Sequence, residues 1–131
     1  METHFKLTMA VLAGVAIGAA SVGMLSAQAV SPTKPLPAYL IGEIEVTDPA
    51  SYKTYQDGVA PAMAETGGRF IVRAGKTVAF DGAPPKRIVV VAFDSLEKAQ
   101  AFRNSKVYNE FVPVRDRSAK FRLFAVEGVA P

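Results

Sequence analysis

Arginine, tyrosine and carboxylate are the side chains that could do chemistry in this chain. Cysteine is absent, and the one histidine, His4, stands near the amino terminus. Without cysteine there can be no disulfide, zinc–thiolate site, iron–sulfur cluster or thiol nucleophile. His4 falls in a segment expected to be removed. The remaining chain then has no group that titrates near neutral pH without a large shift. A Ser-His-Asp or Cys-His arrangement cannot be built, and haem ligation by His or Cys is excluded. No cofactor is expected, and metal binding would rest on carboxylates alone.

Arg69 and Arg73 stand four apart in RFIVR and, in a regular strand, point to one face with Ile71. Arg87 opens the apolar run RIVVVAF. Tyr39, Tyr52 and Tyr55 lie on a strand and a helix that should pack together. Arginine beside tyrosine supplies a fork of donors and an aromatic wall, which suits a carboxylate or enolate on an apolar body. Glu43 and Glu45 are two apart on one strand, so both can face a hard cation. Ion pairing with arginines of a neighbouring strand is the simpler expectation. The candidate ligand-binding set is Tyr39, Glu43, Tyr55, Arg73 and Arg87, with no catalytic residue and no metal site assigned. Arg73 and Tyr55 are expected to hold an anionic or carbonyl-bearing molecule between the sheet and the first helix. An irregularity at Ala74-Gly75 would turn Arg73 toward that cavity. The competing expectation is a core of satisfied tyrosines, with the arginines paired to Glu43, Glu45 or Asp94.

The elements that would position these residues follow from periodicity. Tyr39–Val46 alternates as a strand, with Tyr39, Ile41, Glu43 and Glu45 on one face and Leu40, Gly42, Ile44 and Val46 on the other. Asp48-Pro49 starts a helix. Its apolar stripe is Tyr52, Tyr55, Val59 and Met63, with a kink or restart expected at Pro61 and a stop at Gly67-Gly68. Residues 69–80 read as one strand bent at Ala74-Gly75, with a hairpin as the alternative. Arg87–Phe93 is a strand apolar on both faces. Asp94 or Ser95 caps the next helix, with Asp94 and Glu97 forming a box. A short helical stretch from Ser105 should break near Pro113, and Phe121–Glu127 is the last strand.

The order is βαββαβ with an extra helical segment. It predicts an α+β sandwich with helices on one face of a mostly antiparallel sheet. Helices cover only one face, yet RIVVVAF presents apolar side chains to both. The uncovered face therefore predicts a homodimer.

The chain has 131 residues, 50% of them hydrophobic and 21% charged, which is globular composition with room for one domain. Residues 1–29 read as an export leader. Leu7–Leu25 carries no charge, and Ala27-Gln28-Ala29 is a cleavage signal placing the cut before Val30. The alternative is an uncleaved anchor facing the periplasm, since a helix of that length approaches the hydrocarbon thickness of about 30 Å. Gly14 and Gly18 have the spacing of a helix-packing motif, common by chance in such leaders. Either way residues 30–131 lie outside the cytoplasm, as a periplasmic or secreted protein. Residues 30–37 are a proline-rich tether, and residues 38–129 form the domain. The net charge is +3. Its densest stretch, Arg115, Arg117, Lys120 and Arg122, is interrupted by Asp116 and reads as a solvated surface, so no nucleic-acid partner is expected.

Residues 38–129 resemble the bacterial family called domain of unknown function 1330, in the dimeric α+β barrel group of ferredoxin-like proteins. The resemblance rests on AYLIGEIEVTDPASYKTY, GGRFIVRAGK, PPKRIVVVAFDSLEKAQAF and SKVYNEFVPVRDRSAKFRLFAVEG. It implies the fold and the dimer but no reaction. The leader departs from the family's usual short chains. Three functions stay open. One is an exported dimer that binds a small apolar or anionic molecule. Another is a cofactor-independent monooxygenase- or isomerase-like enzyme on a small aromatic or carbonyl compound. The third is a structural partner of another exported protein. An enzyme would need Asp, Glu or Tyr as a base, with a pKa shifted by burial.

Overall fold

The computed structural model describes residues 33–131. The leader, its cleavage signal and the Gly14–Gly18 spacing lie outside the described residues. Strand β1 is Ala38–Val46, and its alternation buries Ala38, Leu40 and Ile44 beneath the helices. Asp48 then caps α1, Pro49–Thr66, by accepting from the Ser51 N–H at 3.3 Å and the Ser51 hydroxyl at 2.7 Å. Gly67 ends the helix at φ 73°, a conformation that a side chain would disfavour. Strands β2, Arg69–Arg73, and β3, Arg87–Phe93, follow. Helices α2, Leu96–Asn104, and α3, Lys106–Ser118, precede β4, Ala119–Glu127.

The four strands form one antiparallel sheet in the order β2-β3-β1-β4. This is the α+β sandwich expected from the element order, in the ferredoxin-like arrangement that the resemblance implies. Its core lies between α1, α2, α3 and one sheet face. Tyr52, Tyr55 and Val59 descend from α1 onto Leu40, Ile44 and Val91. Helices α1 and α3 approach closely because Gly58 has no side chain, and a Cβ there would run into the Phe111 ring.

Several local expectations need correction. Helix α1 runs unbroken through Pro61, and α3 through Pro113. Both prolines are exposed, so the carbonyls that lose their helical donors, those of Asp57 and Asn109, can turn to water. Ser95 caps α2 by accepting from the Lys98 N–H at 3.2 Å, and no Asp94–Glu97 box forms. Asp94 instead pairs with Arg69 and Lys98. Residues 74–86 form neither a bent strand nor a hairpin. The chain leaves the sheet at Ala74, which adopts φ 53° while its N–H bonds Ile88 at 2.9 Å.

The most consequential correction is in β2. Its pairing with β3 shifts register between Phe70 and Val72, so Ile71 is an extra residue. Arg69 is opposite Ala92 and Arg73 is opposite Val89, which places the two arginines on opposite faces. The helix-free face carries Ile41 and Val90 centrally, with Phe124 39% and Val126 47% exposed on β4. Glu43–Arg122 at 3.1 Å and Glu45–Lys120 at 3.8 Å close one end of it.

Candidate functional site

Between α1 and the sheet lies a cavity of about 230 Å³. That is larger than the roughly 150 Å³ apolar cavity known to admit benzene. Its floor is Leu40, Gly42 and Ile44 of β1, Val89 and Val91 of β3, and Phe121 and Leu123 of β4. Its roof is the face of α1 that carries Tyr52, Tyr55, Val59 and Met63. Phe102 and Tyr108 close one end, while the exposed Phe70 and Arg73 stand at the opening. Phe70 lies opposite Val91 on the helix side, and the register shift in β2 is what brings Arg73 to the same side. The Arg73 guanidinium lies 4.5 Å from the centre of the Phe70 ring, a cation–π contact that holds it over the opening.

The polar groups are few and ordered. The Tyr55 and Tyr108 hydroxyl oxygens are 3.0 Å apart, and Arg115 Nη1 donates to the Tyr108 oxygen at 3.0 Å. Tyr108 is fully buried, and its ring is wedged edge-on against Phe102 and Tyr55. Arg103 stacks on the same ring at 4.7 Å. Burial, reinforced by the neighbouring Tyr108, pushes the Tyr55 pKa far above that of an ordinary phenol. Tyr55 is therefore a donor at neutral pH and not a base. Burial alone would lower the Arg115 pKa, but hydrogen bonds to Asp116 and Tyr108 hold it above its ordinary value. Asp57 is the one carboxylate lining the cavity among the described residues, and Lys53 holds it at 2.6 Å. The site is equipped to bind an oxygen, and poorly equipped to remove a proton.

Of the residues singled out from the sequence, Tyr55 and Arg73 meet at this cavity. Arg73 forms no ion pair with a carboxylate among the described residues. Its orientation arises from the extra residue at Ile71, upstream of the expected Ala74-Gly75 position. Arg87 is on the helix side but outside the cavity lining. It packs over Tyr52 at 5.2 Å, with its Nε buried and unpartnered. Burial raises the Tyr52 pKa, against the pull of Arg87 and Arg73. Tyr39 and Glu43 do not belong to this site. Strand alternation puts them on the opposite face, where Glu43 pairs with Arg122 at 3.1 Å. Sequence reasoning missed Tyr108, Arg115 and Phe70. Tyr108 was legible as an apolar position of α3. Arg115 is seven residues further, two helical turns on, which places it on the same face.

Among the described residues no three or more His, Cys, Asp or Glu side chains cluster as a metal site, and no helix is long and apolar enough to cross a membrane. A family model described as domain of unknown function (DUF1330) matches residues 37–129. No curated protein matches the chain. RPA0582, a protein of unknown function from Rhodopseudomonas palustris, is similar in structure. It has 17% identity and a TM-score of 0.57, over 73% of this chain and 85% of its own. SnoaB, a cofactor-independent oxygenase from Streptomyces nogalater, has 8% identity and a TM-score of 0.52, over 73% of this chain and 96% of its own. At these identities the likeness is one of fold.

Proposed function

Because the chain belongs to the DUF1330 family of domains of unknown function, and because of the cavity beneath α1, we propose that it is an exported homodimer that binds a small, mostly apolar molecule carrying an anionic or carbonyl oxygen. The observation that carries this reading is the cavity itself: apolar on nearly every wall, with a guanidinium at its opening. An apolar body fills the space over Leu40, Val59 and Val91, and Arg73 meets the oxygen. The helix-free face supports the dimer. It exposes Phe124 and Val126 beside Ile41 and Val90, an apolar surface that a second copy would cover. Export rests on the uncharged run Leu7–Leu25 and on Ala27-Gln28-Ala29. Amino-terminal sequencing of the exported protein should begin at Val30; a product beginning at Met1 in the membrane fraction would make the leader an anchor.

A second reading is a cofactor-independent enzyme on a small aromatic or carbonyl compound. It is favoured by the fold shared with SnoaB, a cofactor-independent oxygenase. Among the described residues, the cavity's one carboxylate, Asp57, is held by Lys53, which weighs against it. Mass spectrometry of molecules carried through purification tests the binding reading. An apolar compound with an oxygen function, in near-equal amount to the protein, is the expected result. With that compound, Arg73→Gln should weaken binding about ten- to hundredfold if the bond is charge-assisted. Unchanged affinity with a lower melting temperature would make Arg73 structural.

A further inference from the structure

We propose that the cavity's occupant, besides the oxygen that Arg73 meets at the opening, places a second, carbonyl-type oxygen, that of a ketone or of an ionised enol or phenol, on the Tyr55–Tyr108 pair, with Arg115 polarising that pair from behind. This deepens the binding reading above and rests on it. The protons around the pair do not all find partners. Arg115 spends one N–H on the Tyr108 oxygen at 3.0 Å. One O–H lies between the two tyrosine oxygens, also 3.0 Å apart. Two phenols carry two O–H groups, so one is left over. No other protein acceptor among the described residues bonds either hydroxyl. Both side chains line the cavity, so the spare proton is offered there.

The pair is more than two satisfied core tyrosines. A phenol oxygen that accepts from a guanidinium becomes a better donor through its own proton, and the effect passes along the chain. Tyr55 donates to Tyr108, so the spare proton is that of Tyr108, whose oxygen also accepts from Arg115. The Arg115 side chain is only 12% exposed, so its field at Tyr108 is weakly screened by solvent. Its partner Asp116 lies further out, with its side chain 58% exposed. The surrounding walls, Leu40, Val59, Val91 and Phe121, are apolar and offer no acceptor in the same place. A donor in such a setting selects for an acceptor oxygen and against a plain hydrocarbon, because leaving the hydroxyl without an acceptor is costly.

The test compares acetophenone with ethylbenzene, which differ by a carbonyl in place of a methylene, on the purified protein. Calorimetry should show acetophenone bound about tenfold more tightly. In Tyr55→Phe/Tyr108→Phe the preference should fall to about onefold, while ethylbenzene binds within about twofold of its original affinity. The carbonyl infrared stretch of bound acetophenone should lie lower in the original protein than in the double variant. Tyr108→Phe, which keeps a donor but disconnects Arg115, should give an intermediate stretch; this single variant also serves if the double one does not fold. Equal affinities for the two probes, or a stretch indifferent to the substitutions, would overturn the inference and leave the cavity as a plain apolar binding site. Failure of both probes to bind would overturn the binding reading, and the inference with it.

Discussion

Replacing Tyr108 by phenylalanine removes one oxygen and keeps the ring, so its cost can be worked from few contacts. The ring's packing against Phe102, at 5.1 Å between centroids, and against Tyr55, at 6.0 Å, is retained. What goes is the acceptor for Arg115 and the partner of Tyr55, each at 3.0 Å. A hydrogen bond to a charged group contributes about 1.5–3 kcal/mol and a neutral one about 0.5–1.5 kcal/mol. Arg115 keeps Asp116 at 2.8 Å, and Tyr55 faces a cavity that a water can enter, so both figures belong near their lower ends. The expected loss is about 2 kcal/mol, or roughly 8–16 °C in melting temperature for a domain of this size. Urea unfolding with matched thermal scans measures it, at one fixed protomer concentration because dimerisation would shift both. The m value should not change. A double cycle with Tyr55→Phe should return a coupling of about 0.5–1.5 kcal/mol between the two hydroxyls. A loss below about 0.5 kcal/mol, or a coupling near zero, would mean that the Arg115–Tyr108–Tyr55 chain does not stabilise the fold, and the reasoning would fail.

Three further outcomes are expected. Gly58→Ala should destabilise by about 1 kcal/mol, because forcing Phe111 away outweighs the helix-propensity gain of alanine; a stabilised variant would show that α1 and α3 have slack. Stability should be complete below pH of about 10, the unfolded tyrosine value, and fall above it, because the unfolded chain then releases a proton that buried Tyr55 retains; Tyr55→Phe should flatten that alkaline limb in pH-dependent urea titrations, and an unchanged slope would count against the buried donor. Val90→Glu, at the centre of the helix-free face, should convert a sedimenting dimer into monomer, whereas an unaltered dimer would place the interface elsewhere.

The fold was readable because its signals were local and agreed with one another. Asp48-Pro49 started α1, Gly67 stopped it, and the alternation of β1 assigned its two faces. The prolines misled because a sequence shows the lost N–H but not the tertiary packing that holds a helix together across it. Pro61 and Pro113 sit on exposed helix surfaces, and α1 and α3 brace one another through Gly58 and Phe111. The bulge was misplaced for a related reason. Ala74-Gly75 has the composition of an irregularity, but a bulge with its extra residue near the right-handed region needs no glycine, and Ile71 carries no compositional mark. Arg73 reached its expected cavity by a different route from the one its neighbours suggested. Tyr39 and Glu43 were grouped with it by chemistry, although the alternation of β1 already put them on the other face. Tyr108 was the harder omission, since its partnership with Tyr55 spans 53 residues and follows only from helices α1 and α3 lying side by side.

Gly42 bears on whether the cavity is a packing defect or a built space. It sits mid-strand in β1 with its missing side chain directed at the cavity floor. A Cβ there would meet Ile44 at 3.5 Å and Leu123 at 3.6 Å, which is ordinary contact, and the backbone has no left-handed φ that would demand glycine. Nothing in the fold requires glycine at this position, and glycine within a strand costs roughly 0.5–1 kcal/mol relative to alanine. Gly42→Ala should therefore stabilise the protein by about that amount. It should also raise the floor by a methyl group and weaken binding of a ligand that fills the cavity. Gly42→Val should weaken that binding further by occupying more of the floor. Both effects are read on one sample, by urea unfolding and by titration with acetophenone. Stabilisation with undiminished binding would place the ligand away from β1. Destabilisation by alanine would mean that Gly42 serves the strand and that the space above it is incidental. Stability gained together with affinity lost is the expected pairing, because an open binding cavity gives up contacts that a filled core would make.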